Sequence, residues 1–283
     1  MNIIKDQTFG GERPLFGLTD TRLENVTITE GESGIKFCKN IEADRCRFIG
    51  KYPWWHVEKS LLTNCIFEVG SRSAIWYSKD MTMKDCVIDA PKLFREMDGL
   101  TLENVVINDA DETFWRIKNL RVKNVELHEG TYPFMFCENV YADGLSVESK
   151  YVFQYCKNVE VHNAKILTKD SFWECDNVTI YDSILDGEYL AWHSDHVRLV
   201  RCHILGEQPL CYVKNLVLED CTFDEACDRI FEDSDVDASI IGSLTDIKNP
   251  RSGRIVADEV RHITIDSHIL PPANCQIIER KRD

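Results

Sequence analysis

Leu100-Thr-Leu-Glu-Asn-Val-Val-Ile107, Leu120-Arg-Val-Lys-Asn-Val-Glu-Leu127 and Val159-Glu-Val-His-Asn-Ala-Lys-Ile166 share one pattern. So do Val178-Thr-Ile-Tyr-Asp-Ser-Ile-Leu185, Val197-Arg-Leu-Val-Arg-Cys-His-Ile204 and Leu216-Val-Leu-Glu-Asp-Cys-Thr-Phe223. Numbering each unit from its first residue, the anchors run Thr21, Ile41, Ser60, Met81, Leu100, Leu120, Val140, Val159, Val178, Val197 and Leu216. Successive anchors are 19 to 21 residues apart, and a fixed period of that size marks a stacked repeat.

Positions 1, 3, 6 and 8 of the unit are mostly apolar, which reads as short strands with one buried face. Position 5 is filled mainly by Asn, Asp and Arg, among them Asn25, Asn64, Asp85, Asn104, Asn124 and Asn163. Asn and Asp tolerate the left-handed backbone, so one residue there can bend the chain between two strands. A second bend precedes many anchors at Asn40, Asn119, Asn139, Asn158, Asn177 and Asn215. Six residues before the anchors stands a wholly apolar column that includes Ile35, Trp54, Phe94, Phe114, Phe134, Phe153, Phe172 and Ile230. Three short strands per coil with apolar columns inward describe an all-β fold, a right-handed single-stranded parallel β-helix of about 11–12 coils. One domain over residues 1–283 is expected: an N-terminal cap at 1–20, regular coils at 21–235, and an irregular last coil and cap at 236–283. Pro271-Pro272 should end regular structure.

This pattern resembles the parallel β-helix architecture of pectin-lyase-like proteins. Gly11-Glu-Arg-Pro-Leu-Phe16, Gly31-Glu-Ser33 and Ile247-Lys-Asn-Pro-Arg-Ser-Gly253 are similar to an uncharacterised bacterial β-helix family that carries a domain-of-unknown-function label. That resemblance implies an architecture and a bacterial source, and no activity. Arg116-Ile117-Lys118 echoes a short motif of polygalacturonases, but the companion Asn-x-Asp, Asp-Asp and Gly-His-Gly elements are missing.

Composition narrows the partners. With 33 basic and 48 acidic residues the net charge is −15, which argues against nucleic acid and anionic membranes. The start Met1-Asn2-Ile3-Ile4-Lys5 lacks the features of a secretion signal, and a cytoplasmic location is expected. The twelve cysteines recur at repeat positions without a CxxC knuckle, so they read as reduced, buried, small apolar side chains. No metal or cofactor is expected.

In a β-helix the unit of search is the column. Four residues before the anchors stand Phe37, His56, Tyr77, Glu96, Arg116, Phe136, Tyr155, Glu174, His193, Tyr212 and Glu232. So many ionisable groups cannot be buried cheaply, so this column should face outward. His56, Tyr77, Glu96, Arg116, Tyr155, Glu174, His193 and Tyr212 are the candidate substrate-binding residues, because rings and polar groups on one long face suit a sugar. A plain solvated face is the bland alternative. The next column holds Trp55, Trp76, Trp115, Trp173 and Trp192, read as core or as an outward platform.

Glu96, Glu174 and Glu232 lie too many coils apart for the carboxyl pairs of glycosidases. Asp176 and Asp195 are one coil apart but sit in a charge-alternating ladder. His193, His196 and His203 invite a metal reading that their spacing does not support. No catalytic residue is assigned, and catalysis itself is left open. Two functions remain: carbohydrate binding or modification along the His56–Tyr212 face, and a non-catalytic scaffold that pairs with a protein or a second copy of itself.

Overall fold

The computed structural model describes residues 1–266 and 273–281; Pro271-Pro272 falls outside them. The described residues are strands and turns, with a single 3-10 turn at Val69–Ser71. No helix is long and apolar enough to cross a membrane. The fold is a parallel β-solenoid of about 14 turns, more than the 11–12 coils that the clear repeat predicts. Contacts divide the chain into two compact units, Met1–Tyr141 and Ala142–Asp283.

In the first unit the strands Thr19–Glu24, Lys39–Asp44, Glu58–Thr63, Lys79–Lys84, Asp98–Ile107 and Lys118–Thr131 follow one another, each parallel to the next. The register joins Thr21 to Ile41, Ile41 to Ser60, Ser60 to Met81, Met81 to Leu100 and Leu100 to Leu120, so the expected anchors stack without a slip. Position 8 stacks likewise from Ile28 through Phe48, Phe67 and Ile88 to Ile107 and Leu127. Inside, Phe94, Phe114 and Phe134 form a ring stack with centroids 5.0 and 4.5 Å apart, each fully buried. Burying one such side chain contributes up to about 3 kcal/mol, and these columns are the core.

The expected bends are present. Asn25, Asn64, Asn104 and Asn124 have φ between 50 and 54°, and Asn40 and Asn119 have 54 and 56°. Their side chains also form ladders between coils: Asn104 Nδ2 donates to Asp85 Oδ1 at 3.0 Å and Asn124 Nδ2 to Asn104 Oδ1 at 3.2 Å. One residue type thus supplies the bend and a bond across it.

Two features differ from the expectation. Residues 1–20 are not a separate cap but one more coil: Asn2 pairs with Thr21, Phe9 with Ile28 and Leu15 with Ile35. Its residues are mostly exposed, and where little is buried the apolar pattern that identifies a coil has no reason to appear. The third strand is also much reduced. In the first unit it survives as two-residue pieces, Leu15–Phe16, Ile35–Lys36, Trp54–Trp55 and Ile75–Trp76, and then as isolated bridges from Trp76 to Arg95 and from Arg95 to Trp115. Left-handed residues interrupt it at Lys92, Phe94 and Glu96, and again at Glu112, Phe114 and Arg116.

The second unit repeats this build. Lys157–His162, Asp176–Tyr181, Asp195–Val200 and Lys214–Phe223 stack in parallel with Val159, Val178, Val197 and Leu216 in register. Coiling continues through Asp235–Ile240, Ser252–Ala257 and Asn274–Glu279, where the period is lost but the pairing is not. At Val236 the bend residue before the anchor is missing, which shifts the preceding stretch by one. Phe231 therefore takes the buried column position that Ile230 was expected to hold; its N–H reaches Pro209 O as that of Leu210 reaches Leu190 O. Gly187 and Gly206 mark a turn where backbones nearly touch: a Cβ on Gly187 would lie 1.4 Å from Thr168 O, and one on Gly206 would lie 2.0 Å from Gly187 O.

Candidate functional site

The outward column is exposed, apart from a half-buried Tyr212, and the reason is conformational. Each of His56, Tyr77, Glu96, Arg116, Tyr155, Glu174, His193 and Tyr212 has φ between 49 and 60°. A left-handed residue resets the strand's alternation, so the side chain after a half-buried one turns out to solvent instead of into the core. The bend lies at the column residue itself.

In the first unit these side chains satisfy one another. His56 is sandwiched between Phe37 and Tyr77, with centroids 4.8 and 4.9 Å away and planes 9 and 11° off parallel. Further along, Arg116 pairs with Glu96 at 2.9 Å and its guanidinium lies 5.5 Å over the Phe136 ring. Rings stacked along the coil direction offer their edges to solvent, not their faces. Partial burial, reinforced by the Lys36 charge, pulls the His56 pKa below its ordinary value.

The tryptophan column is neither core nor outward platform. Trp55, Trp76, Trp115, Trp173 and Trp192 are half-buried and lie along the surface of the coils. Trp55 Nε1 donates to Ser73 O at 2.9 Å, Trp76 to Lys92 O at 2.9 Å, Trp115 to Tyr132 O at 2.8 Å and Trp192 to Gln208 O at 2.8 Å. These indoles tie down the left-handed residue that opens the interrupted strand of the following coil. Arg95 stands in this column between Trp76 and Trp115, 5.0 and 4.2 Å from their centroids, and pairs with Glu112.

In the second unit the column runs Tyr155, Glu174, His193 and Tyr212. His193 stacks on Tyr212 at 4.8 Å and 13°, and burial raises the Tyr212 pKa. Glu232 does not continue this column. Tyr212 N–H donates to Glu232 O as Glu174 N–H donates to Trp192 O, which aligns Glu232 with Cys211 and the tryptophans. There it pairs with Lys248 at 2.8 Å.

Two of the candidate residues meet a neighbouring column. Glu174, Cys175, Asp176, His193, Asp195 and Lys214 line an open cavity of about 520 Å³. Asp176, Asp195 and Lys214 stack in register along it. His196 Nδ1 lies 3.4 Å from Asp176 Oδ1 and 3.1 Å from Asp195 Oδ1, and Asn215 Nδ2 donates to Asp195 Oδ1 at 2.7 Å. Sequence placed the lower column in a solvent ladder. The only signal that could have joined the two columns was their separation by two residues.

The three histidines go separate ways: His193 onto Tyr212, His196 to the aspartates, and His203 Nδ1 to Thr222 Oγ1 at 2.8 Å. Among the described residues no group of three or more His, Cys, Asp or Glu could hold a metal ion. The thiols other than Cys275 are buried, and burial pushes those of Cys211 and Cys227 up to about 12.

No curated protein matches the chain by sequence. Solved structures similar to it include a tailspike protein of Escherichia coli bacteriophage HK620 in complex with a pentasaccharide. That likeness has 9% identity, covers 97% of this chain and 69% of that one, and has a TM-score of 0.40. PfbA, a surface adhesin of Streptococcus pneumoniae, is similar at 10% identity over 98% and 84%, with a TM-score of 0.40. The A-module of an Azotobacter vinelandii mannuronan C-5 epimerase is similar at 12% identity over 99% and 81%, with a TM-score of 0.29. The strand pairing, and not these distant likenesses, establishes the coil. A family profile described as "Protein of unknown function (DUF3737)" matches residues 2–278, so the chain belongs to that family.

Proposed function

We propose that the protein binds a carbohydrate, and does so in the second unit at the concavity lined by Glu174, Asp176, His193, Asp195 and Lys214. The observation that carries this reading is that one cavity of about 520 Å³ gathers donors and acceptors from two columns beside the His193–Tyr212 stack. Ligand sites are concave and fix orientation with a few convergent polar groups. Neighbouring groups repeat at about the 4.8 Å coil spacing, comparable to the width of a sugar ring. The stacked rings contribute polar edges, such as the Tyr212 hydroxyl, more than open faces.

A scaffold without a ligand is the second reading. It is favoured by the first unit, where Phe37, His56 and Tyr77 use their faces on each other and Glu96 and Arg116 pair. A thermal-shift screen against neutral, amino and acidic oligosaccharides separates the two. A ligand that binds only the native state at about a hundred times its Kd stabilises by roughly 2.7 kcal/mol. Binding that weakens in Glu174→Ala and Tyr212→Ala is the expected result. Silence of a stable protein across the panel would leave the scaffold.

A further inference from the structure

We propose that this concavity takes an amino sugar, its ammonium group seated on the Glu174 carboxylate, and turns away uronic acids; the inference rests on the carbohydrate reading above. The argument starts from an internal comparison. Reading the outward column in each unit, an acid, a nitrogen base and a ring follow on consecutive coils twice: Glu96, Arg116 and Phe136, then Glu174, His193 and Tyr212. Both triads share the left-handed backbone, with φ of 53, 54 and 57° in the first and 49, 58 and 60° in the second. Both also have the base packed on the ring, at 5.5 Å for Arg116 on Phe136 and 4.8 Å for His193 on Tyr212.

They differ in charge. Arg116 is a permanent cation and neutralises Glu96 at 2.9 Å, whereas an imidazole in its place is not a permanent cation. Among the described residues Glu174 makes no ion pair, although its side chain is exposed at the rim of a cavity. Glu96 has no such need, because its cation is built in. Two further carboxylates, Asp176 and Asp195, share the cavity with one lysine, Lys214, while outside the lining His196 lies 3.4 and 3.1 Å from them and Lys157 stacks in register on Asp176. A sugar carboxylate entering there meets like charge at close range. An ammonium group instead supplies the permanent cation that the second triad lacks, in a cavity that Asp176, Asp195 and Lys214 also line. Charge-assisted hydrogen bonds of this kind are roughly twice as strong as neutral ones.

The test is calorimetric titration of the full chain at neutral pH with three trisaccharides: a glucosamine trimer with free amines, its fully N-acetylated counterpart, and trigalacturonate. The free-amine trimer should bind at least about tenfold tighter than the acetylated one, with no binding of the uronate. Glu174→Gln, an exposed and nearly isosteric change, should remove that preference, so that the free-amine and acetylated trimers bind the variant with equal affinity. Equal affinity for the amine and acetyl forms, or a preference that survives Glu174→Gln, overturns the amino-sugar assignment and leaves carbohydrate binding standing. Failure of all three sugars to bind a folded protein overturns both.

Discussion

A left-handed residue with a side chain costs about 1–2 kcal/mol, yet this chain places Phe94, Phe114, Phe134, Phe153 and Phe172 there, with φ of 46 to 60°. The cost is offset locally, because each of those rings is fully buried and burial of a phenylalanine contributes up to about 3 kcal/mol. At the exposed bends no burial is available, and the residue must be one that tolerates the conformation. Asn124 is such a position, with φ of 50° and a side-chain bond to Asn104. Asn124→Ala should therefore cost about 1–2 kcal/mol in urea unfolding, and Asn124→Gly well under 1 kcal/mol, since glycine restores the bend and loses only an exposed bond. Equal losses would mean that the ladder bond, and not the backbone, is what asparagine supplies. The same rule explains what could be read in advance. Asn and Asp at the bends announce themselves, whereas a phenylalanine or histidine in a left-handed well carries no mark in the sequence.

At the scale of an element, the interrupted third strand keeps backbone bonds from coil to coil, such as Arg95 N–H to Ile75 O at 3.2 Å and Arg116 N–H to Met135 O at 2.8 Å, but no long strand, and side chains reinforce it. The half-buried column does this, with indole N–H groups on backbone carbonyls and Arg95 between two tryptophans. Arg95 also grips Glu112, donating to its carboxylate and, at 3.3 Å, to its carbonyl. Burial works to raise the Glu112 pKa, and the bonds from Arg95 and Lys92 outweigh it and hold the carboxyl below its ordinary value. Arg95→Met should cost about 2–4 kcal/mol and raise the Glu112 pKa, measured by chemical denaturation and by NMR titration. Arg95→Lys should recover less than half of the loss, because an ammonium fits neither the planar slot nor the two-point contact. A fully stable lysine variant would show that charge alone is required.

Over the whole molecule the charges outside the core set the response to acid. Asp44, Glu103, Glu112 and Asp182 are all held below their ordinary pKa values. For Asp44 burial opposes this and the Asn64 and Thr63 bonds prevail; for Glu103 the cause is Lys84, and for Asp182 it is Arg201. A carboxylate with a lowered folded pKa contributes stability above its unfolded value, near 4, and that contribution is lost as pH falls through the folded value. Asp170 has the opposite sign: burial raises its pKa, so its penalty grows as pH rises past the unfolded value. Four lowered groups against one raised group predict a melting temperature that falls steadily below about pH 4.5. Asp170→Asn should raise the melting temperature at pH 7 and change it less at pH 4. A flat profile between those values would contradict the assigned shifts.

The sequence by itself determined the coil, the register of its regular part and its Asn and Asp bends, because stacking forces each column to repeat one physical demand at a fixed period. It also determined that the His56 to Tyr212 column faces solvent, because ionisable groups cannot be buried in such numbers. Only the tertiary structure decided that residues 1–20 form a coil, since their exposure leaves no apolar pattern to read. Only it placed Glu232 with the tryptophans, because a single missing bend residue shifts the register before Val236. And only it joined Glu174 and His193 to Asp176, Asp195 and Lys214, because periodicity records which column a residue belongs to but not the space left between the side chains of two columns.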